Sequence, residues 1–135
     1  MCSELNSKGI EIIYTLINSV AYFIKNVDKV FVGSYTMYSN GSLIANAGTS
    51  MLALNAYRLK IPFYVVCQTY KFSERNAIDA LNINQEFSHL TLKKENSDEM
   101  DDLCIRIPYD LTPSLHISAV ITELGLIPSS SVAVI

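Results

Sequence analysis

Charge is scarce in this 135-residue chain: Asp, Glu, Lys and Arg make up 17% of it, against about 25% in an average soluble domain. The little there is sits unevenly. Residues 93–102 carry two lysines and five acids, which is the whole formal charge of −3, and the remainder of the chain is neutral. No Lys/Arg run is present, so a phosphate backbone meets no electrostatic footprint and nucleic acid is disfavoured as a direct ligand. Long apolar runs are missing as well; none approaches the ~20 residues that a spanning helix needs. Glu4, Lys8 and Glu11 interrupt the N-terminal apolar residues, which denies them the cationic start and unbroken apolar core of a secretion signal. Cysteine is limited to Cys2, Cys67 and Cys104. With no CxxC pair and an odd number, they form no disulfide framework, and a reduced, cytoplasmic setting is expected.

Half of the residues are apolar, and the length suits one domain spanning residues 1–135. So little charge on so apolar a chain means that much of it is buried, or that some apolar surface faces a partner. Ile10, Ile12, Ile13, Tyr14 and Thr15 form a β-branched and aromatic run that predicts a strand. Asn18 or Ser19 can then cap a helix whose apolar side includes Val20, Phe23, Ile24 and Val27, and residues 29–32 form a second apolar run ended by Gly33. A helix throughout residues 9–27 is the competing reading, because short apolar runs do not separate the two by period alone. Gly48 and Thr49 open a helix expected to reach Lys60, and Pro62 marks the exit to a strand over residues 63–67. A short strand is expected at residues 104–107. Thr112 and Pro113 read as N-cap and first helical position of a helix running to Leu124, with Gly125 as its left-handed cap. Residues 132–135 read as a last strand. Strands alternating with helices predict an α/β fold, a Rossmann-like three-layer sandwich with a mostly parallel sheet. Two stretches stand outside the alternation. Residues 35–47 form a long connection holding the turn signal Asn40-Gly41, and residues 88–102 read as a mobile acidic loop.

Several candidate sites follow from residue type. Gly48 and Thr49 at a helix start could present backbone N–H groups to a phosphate or carboxylate, though an ordinary capped helix is the preferred explanation of this feature alone. Neither a GxGxxG nor a P-loop supports a nucleotide. The acids between Asp98 and Asp102 lack the loop glycine and spacing of a calcium site, so no metal and no cofactor is expected. His116, Asp110 and the serines 129–131 lack the GxSxG elbow of a hydrolase triad. Tyr70, Lys71, Phe72, Glu74 and Arg75 follow the third strand. The carboxyl end of a parallel strand is a place for a site, and exposed Tyr, Phe and Arg equally suit a protein partner.

Taken together, Gly33, Asn40-Gly41, Gly48-Thr49, the segments 62–67 and 69–72, Tyr109-Asp110-Leu111-Thr112-Pro113 and Ile121-Thr122-Glu123-Leu124-Gly125 resemble one superfamily. It contains the regulatory alpha, beta and delta subunits of eukaryotic translation initiation factor 2B, together with the ribose-1,5-bisphosphate and methylthioribose-1-phosphate isomerases. The string Thr69-Tyr70-Lys71-Phe72-Ser73-Glu74-Arg75, then Asp79 and the segment 127–132, is most similar to the delta type. The resemblance implies a vestigial ligand pocket at Tyr35, Asn40, Asn46, Gly48 and Thr49. It also marks departures. Where the isomerases have a proton-transferring Asp, this chain has Tyr35, and phenols ionise only near pH ~10. Ala45 and Asn46 stand where the isomerases hold substrate phosphate with an Asn-Lys pair, and their catalytic Cys lies upstream of Gly9.

What the resemblance implies is therefore a non-catalytic regulatory and assembly subunit of the exchange factor for initiation factor 2, with no catalytic residues. Its implied partners are the other subunits of that complex, a beta-type subunit first, and initiation factor 2 itself. A sugar-phosphate isomerase is the alternative. The family's domain begins with further βα units and a helical domain, so the chain is expected to be its C-terminal part, whether by choice of fragment or by a truncated gene model. Apolar surface left open in this way is expected to drive self-association as a dimer, with Tyr70, Phe72 and Arg75 as candidate contacts.

Overall fold

The structure, a computed structural model, describes residues 2–75 and 107–134. Its centre is a sheet of β1 (Val30–Gly33), β4 (Phe63–Val66), β7 (Ala119–Thr122) and β8 (Gly125–Ile127), hydrogen-bonded in that order. The first three strands are parallel and β8 returns antiparallel to β7. Alternation along each strand sorts the faces: Val30, Phe63, Val65 and Val120 are buried, whereas Phe31 and Val66 on the opposite face are about half exposed. The inner face packs against α3 (Thr49–Arg58). Ala53 and Ala56 are completely buried there, and their small side chains let the helix lie close to the sheet.

A second sheet, not indicated by the sequence, shares this core. It consists of β5 (Phe72–Ser73), β2 (Thr36–Tyr38), β3 (Leu43–Asn46) and β6 (Tyr109–Thr112), in that order. The connection expected over residues 35–47 is in fact the β2–β3 hairpin. Its turn signal is used as read: Asn40 Oδ1 accepts the Ser42 N–H at 3.0 Å, and Gly41 turns at φ 78°. A side chain at Gly41 would also meet the Ser129 carbonyl oxygen at 2.7 Å, so glycine is required there twice over. Met37, Leu43 and Ala45 from this sheet join Phe63, Val65, Val120 and Ala53 in one buried cluster.

The α/β class, the mostly parallel sheet, the strands β1 and β4 and the helix α3 match what the sequence predicts. The region expected to be helical before β1 is a chain of helical turns, with α2 (Val20–Phe23) between 3₁₀ turns at Ile17–Ser19 and Ile24–Asn26. The helix expected after Thr112 is not found. Residues 112–124 form the end of β6, a 3₁₀ turn at Ser114–His116 and β7. Thr112 is buried in a strand, and Pro113 is extended at ψ 145°. Val120, Ile121 and Thr122 are β-branched, and a slot beside β4 buries them better than a surface helix. Gly125, at φ 121°, opens β8 and caps no helix. The expected last strand is a 3₁₀ segment, Ser129–Val134, that buries Val132. Residues 10–15, read as a strand, have no regular structure, whereas Cys2–Ser7 forms a short helix, α1. Residues 104–106 and the acidic loop at 88–102 lie outside the described residues.

One side chain ties the two sheets to the helix. Asp110, on β6, is paired across from Ala45 on β3, and its Oδ2 accepts the N–H groups of Gly48 at 2.8 Å and Ser50 at 2.9 Å. A carboxylate at a helix start satisfies unpaired donors and opposes the positive end of the helix dipole. Asp110→Ala should therefore lower stability by about 1–3 kcal/mol. Asp110→Asn, which keeps an acceptor and loses the charge, should fall between the two in urea unfolding midpoints.

Candidate functional site

Three clefts gather the residues of interest. The first, of about 510 Å³, lies at the carboxyl end of β1 and is lined by Gly33, Ser34 and Tyr35, by Asn46 from β3, by Thr49 from α3 and by Tyr109. The Tyr35 and Tyr109 rings lie 4.7 Å apart, tilted by 38°. Among the described residues lining this cleft there is no Asp, Glu, His, Lys or Arg. Thr49 spends its hydroxyl on the Asn46 carbonyl at 2.7 Å. The N–H groups of Gly48 and Ser50, which an anion would need, are held by Asp110. Gly48 has φ 102°, and Ile17 lies 2.9 Å from where a β-carbon would project. Of the sequence-predicted pocket, then, Tyr35, Asn46 and Thr49 come together with Gly48 beside them. Asn40 does not join them; it sits at the tip of the β2–β3 hairpin.

The second cleft, about 660 Å³, takes Tyr70, Phe72 and Glu74 together with Leu124, Val132 and Val134. Tyr70, Leu124 and Val134 are largely exposed, and Phe72 packs partly into the core. Lys71 points elsewhere. Its ammonium donates to the Ser34 carbonyl at 3.2 Å, and it lines a third cleft of about 450 Å³ with Cys67, Gln68 and Glu123. Arg75 is exposed, its N–H on the Ser73 hydroxyl at 3.3 Å. The five residues read as one cluster therefore divide between two clefts and the surface.

The third cleft lies across the carboxyl ends of β1, β4 and β7. Burial pushes the Cys67 thiol up, and the Ser34 hydroxyl and Lys71 offset this only in part; the group is a thiol, not a poised thiolate. Glu123 caps the turn at Thr69–Lys71: its carboxylate accepts the Thr69 N–H at 3.1 Å and the Thr69 hydroxyl. The Thr69 hydroxyl above all, helped by backbone N–H groups, holds Glu123 below its ordinary range.

Two residues at these sites escape sequence reasoning. Asp110 reads from the sequence as a triad candidate and as part of the resemblance, and its partners lie some 60 residues away, where no local signal reaches. Glu123 sat inside an expected helix. His116 is found against Tyr57, ring centres 5.1 Å apart, while Asp110 is engaged at α3, so no Asp–His pair forms.

Two outcomes follow for these groups. A folded-state value below the ordinary one means that the Glu123 contribution is present above the usual carboxylate range and lost as pH falls through it. Wild type should be the more stable at pH 7, and Glu123→Gln should approach it once the carboxylate is protonated, as read from urea midpoints across the acid limb. Peptide-resolved alkylation should modify exposed Cys2 readily and buried Cys67 only slowly; equal rates would contradict the burial argument.

Comparison with known proteins adds to this geometry. "Translation initiation factor eIF2B subunit delta" of Dictyostelium discoideum is 39% identical over 140 residues, covering 94% of this chain and 23% of its own length. "Ribose 1,5-bisphosphate isomerase" of Archaeoglobus fulgidus is 36% identical over 125 residues, covering 93% of this chain and 40% of its own. The chain thus spans less than half the length of these relatives. Among solved structures, the translation initiation factor eIF-2B of Pyrococcus horikoshii OT3 superposes with a TM-score of 0.68 at 28% identity, over 94% of this chain and 43% of that one. Residues 1–129 match the profile of the Initiation factor 2 subunit family, and the chain belongs to that family.

Proposed function

We propose that this chain is the part of a delta-like regulatory subunit of translation initiation factor 2B that serves assembly and not chemistry. One observation carries the reading: the cleft at Tyr35, Asn46 and Thr49 has no acid, base or cation among its described lining residues. Proton transfer next to a carbonyl needs a group of suitable pKa within reach, and charge that develops needs a donor aimed at it. The Dictyostelium relative, a delta subunit by name, supports the same reading. In it the chain works in the cytoplasm and pairs with other subunits of the exchange factor, a beta-type subunit first, so that the complex acts on initiation factor 2. The exchange chemistry belongs to a different subunit.

Tyr70, Phe72 and Glu74 form the pairing surface in this proposal, with Leu124 and Val134 beside them. An exposed aromatic anchor flanked by apolar residues is the usual composition of an interface core. Sugar-phosphate isomerase is the second reading, favoured by the identity to the archaeal isomerase. It requires catalytic groups from outside the described lining of that cleft.

Co-expression with candidate beta-type and alpha-type subunits tests the first reading. The beta-type subunit should co-purify, and Tyr70→Ala should reduce its recovery by at least about tenfold. Neither ribose 1,5-bisphosphate nor methylthioribose 1-phosphate should turn over; rates of ~1–10³ s⁻¹ would establish the isomerase instead.

A further inference from the structure

Surface turns are ordinarily held by little beyond their own backbone and open at low free-energy cost. The turn Thr69–Lys71 is held from three directions. Beyond the end of β7, the Glu123 carboxylate accepts the Thr69 N–H at 3.1 Å and the Thr69 hydroxyl. Beyond the end of β1, the Ser34 carbonyl accepts from the Lys71 ammonium at 3.2 Å. From β2, the Thr36 hydroxyl donates to the Lys71 carbonyl at 2.6 Å.

Between the two clamped positions stands Tyr70, 77% exposed. Its hydroxyl donates to Gln68 Oε1 at 3.1 Å, and the Lys71 ammonium lies 5.9 Å from the centre of its ring, within cation–π range. A tyrosine has two side-chain torsions to fix, and here the backbone beneath the ring and the polar tip beyond it are both tied. Much of the ordering that burial against a partner demands is therefore complete before a partner arrives. The turn is also a wall between two clefts. Thr69 and Tyr70 line the second, and Lys71 and Glu123 line the third, so charges in one cleft hold the aromatic residue of the other.

We propose that Glu123, acting through Thr69, is the positioning residue for the Tyr70 anchor, so that pairing depends on a carboxylate that works through the turn and not by contact with the partner. This role rests on the pairing surface proposed above and adds what keeps it in shape. A hydrogen bond to an ionised acceptor is stronger than one between neutral groups, and Glu123, held below its ordinary range, is ionised at neutral pH. Lys71 completes the arrangement from the other side by fixing the turn to Ser34.

A double-mutant cycle on pairing with the co-expressed beta-type subunit tests it. Glu123→Ala should weaken pairing about tenfold in the wild-type background and less than about twofold in Tyr70→Ala, where no anchor is left to position. Thr69→Val, which removes the hydroxyl and keeps the shape, should behave like Glu123→Ala, and Thr69→Ser should pair as wild type does. Hydrogen exchange gives a readout without any partner: residues 69–71 should exchange faster in Glu123→Ala, with β1 and β4 unchanged, which also shows the fold to be intact. Absence of pairing in wild type, or pairing indifferent to Tyr70→Ala, would remove the surface and this role with it. If Tyr70→Ala weakens pairing, three results overturn the role of Glu123 alone: equal effects of Glu123→Ala in both backgrounds, wild-type pairing by Glu123→Ala or Thr69→Val, or unchanged exchange at residues 69–71.

Discussion

The carboxylate of Asp110 is the contact on which the arrangement of this molecule depends. It belongs to the second sheet, yet two of its hydrogen bonds end on the first turn of the helix that covers the main sheet. Those N–H groups have no partners inside their own helix, so the contact converts an obligation of the helix into a link between layers. It fixes the distance from β6 to α3, while β3 pairs in register with β6. The first cleft opens beside this junction, between Asn46 of β3, Thr49 of α3, Tyr109 of β6 and the carboxyl end of β1. The carboxylate uses the donors that an anionic ligand would otherwise find there.

How much of this was legible beforehand follows the range of the forces involved. Strands β1 and β4 and helix α3 announce themselves through dense apolar runs, a glycine cap and Pro62, all within a few residues of the element they define. The Asn40-Gly41 turn was read correctly, but the strands it joins are only three and four residues long, too short to carry a period. Residues 113–124 misled because proline after threonine is a helix-start signal and glycine a helix-stop signal. The competing fact, an open slot beside β4, exists only once the sheet has formed. At the candidate site, Tyr35, Asn46, Gly48 and Thr49 were found from a resemblance and do meet. Asn40 carries the same signal and does not, since its role is to shape a turn. Asp110 and Glu123 act over some fifty to sixty residues of sequence, beyond any local pattern.

The distribution of polar groups separates recognition from chemistry. The cleft at the end of β1 keeps the position that ligands favour in open α/β sheets and offers phenols, an amide and a hydroxyl already in use. The charged groups, Lys71 and Glu123, lie across the strand ends and are occupied in holding loops: Lys71 on the Ser34 carbonyl, Glu123 on Thr69. Those loops present Tyr70 and Leu124 outward. The interactions of Lys71 and Glu123 are thus directed at the loops, and what they stabilise is the surface.

Ile17 wedged against Gly48 also defines a length. From that contact back to Ile10 the chain has no regular structure, and seven residues reach at most ~24 Å when fully extended. Any strand formed by this run must therefore be laid down within that radius of the α3 N-terminus. A tether so short holds its end at a local concentration in the millimolar range once a first contact is made. Any pairing through it would be governed by geometry near one fixed point, and lengthening the segment between Thr15 and Ile17 would dilute that end.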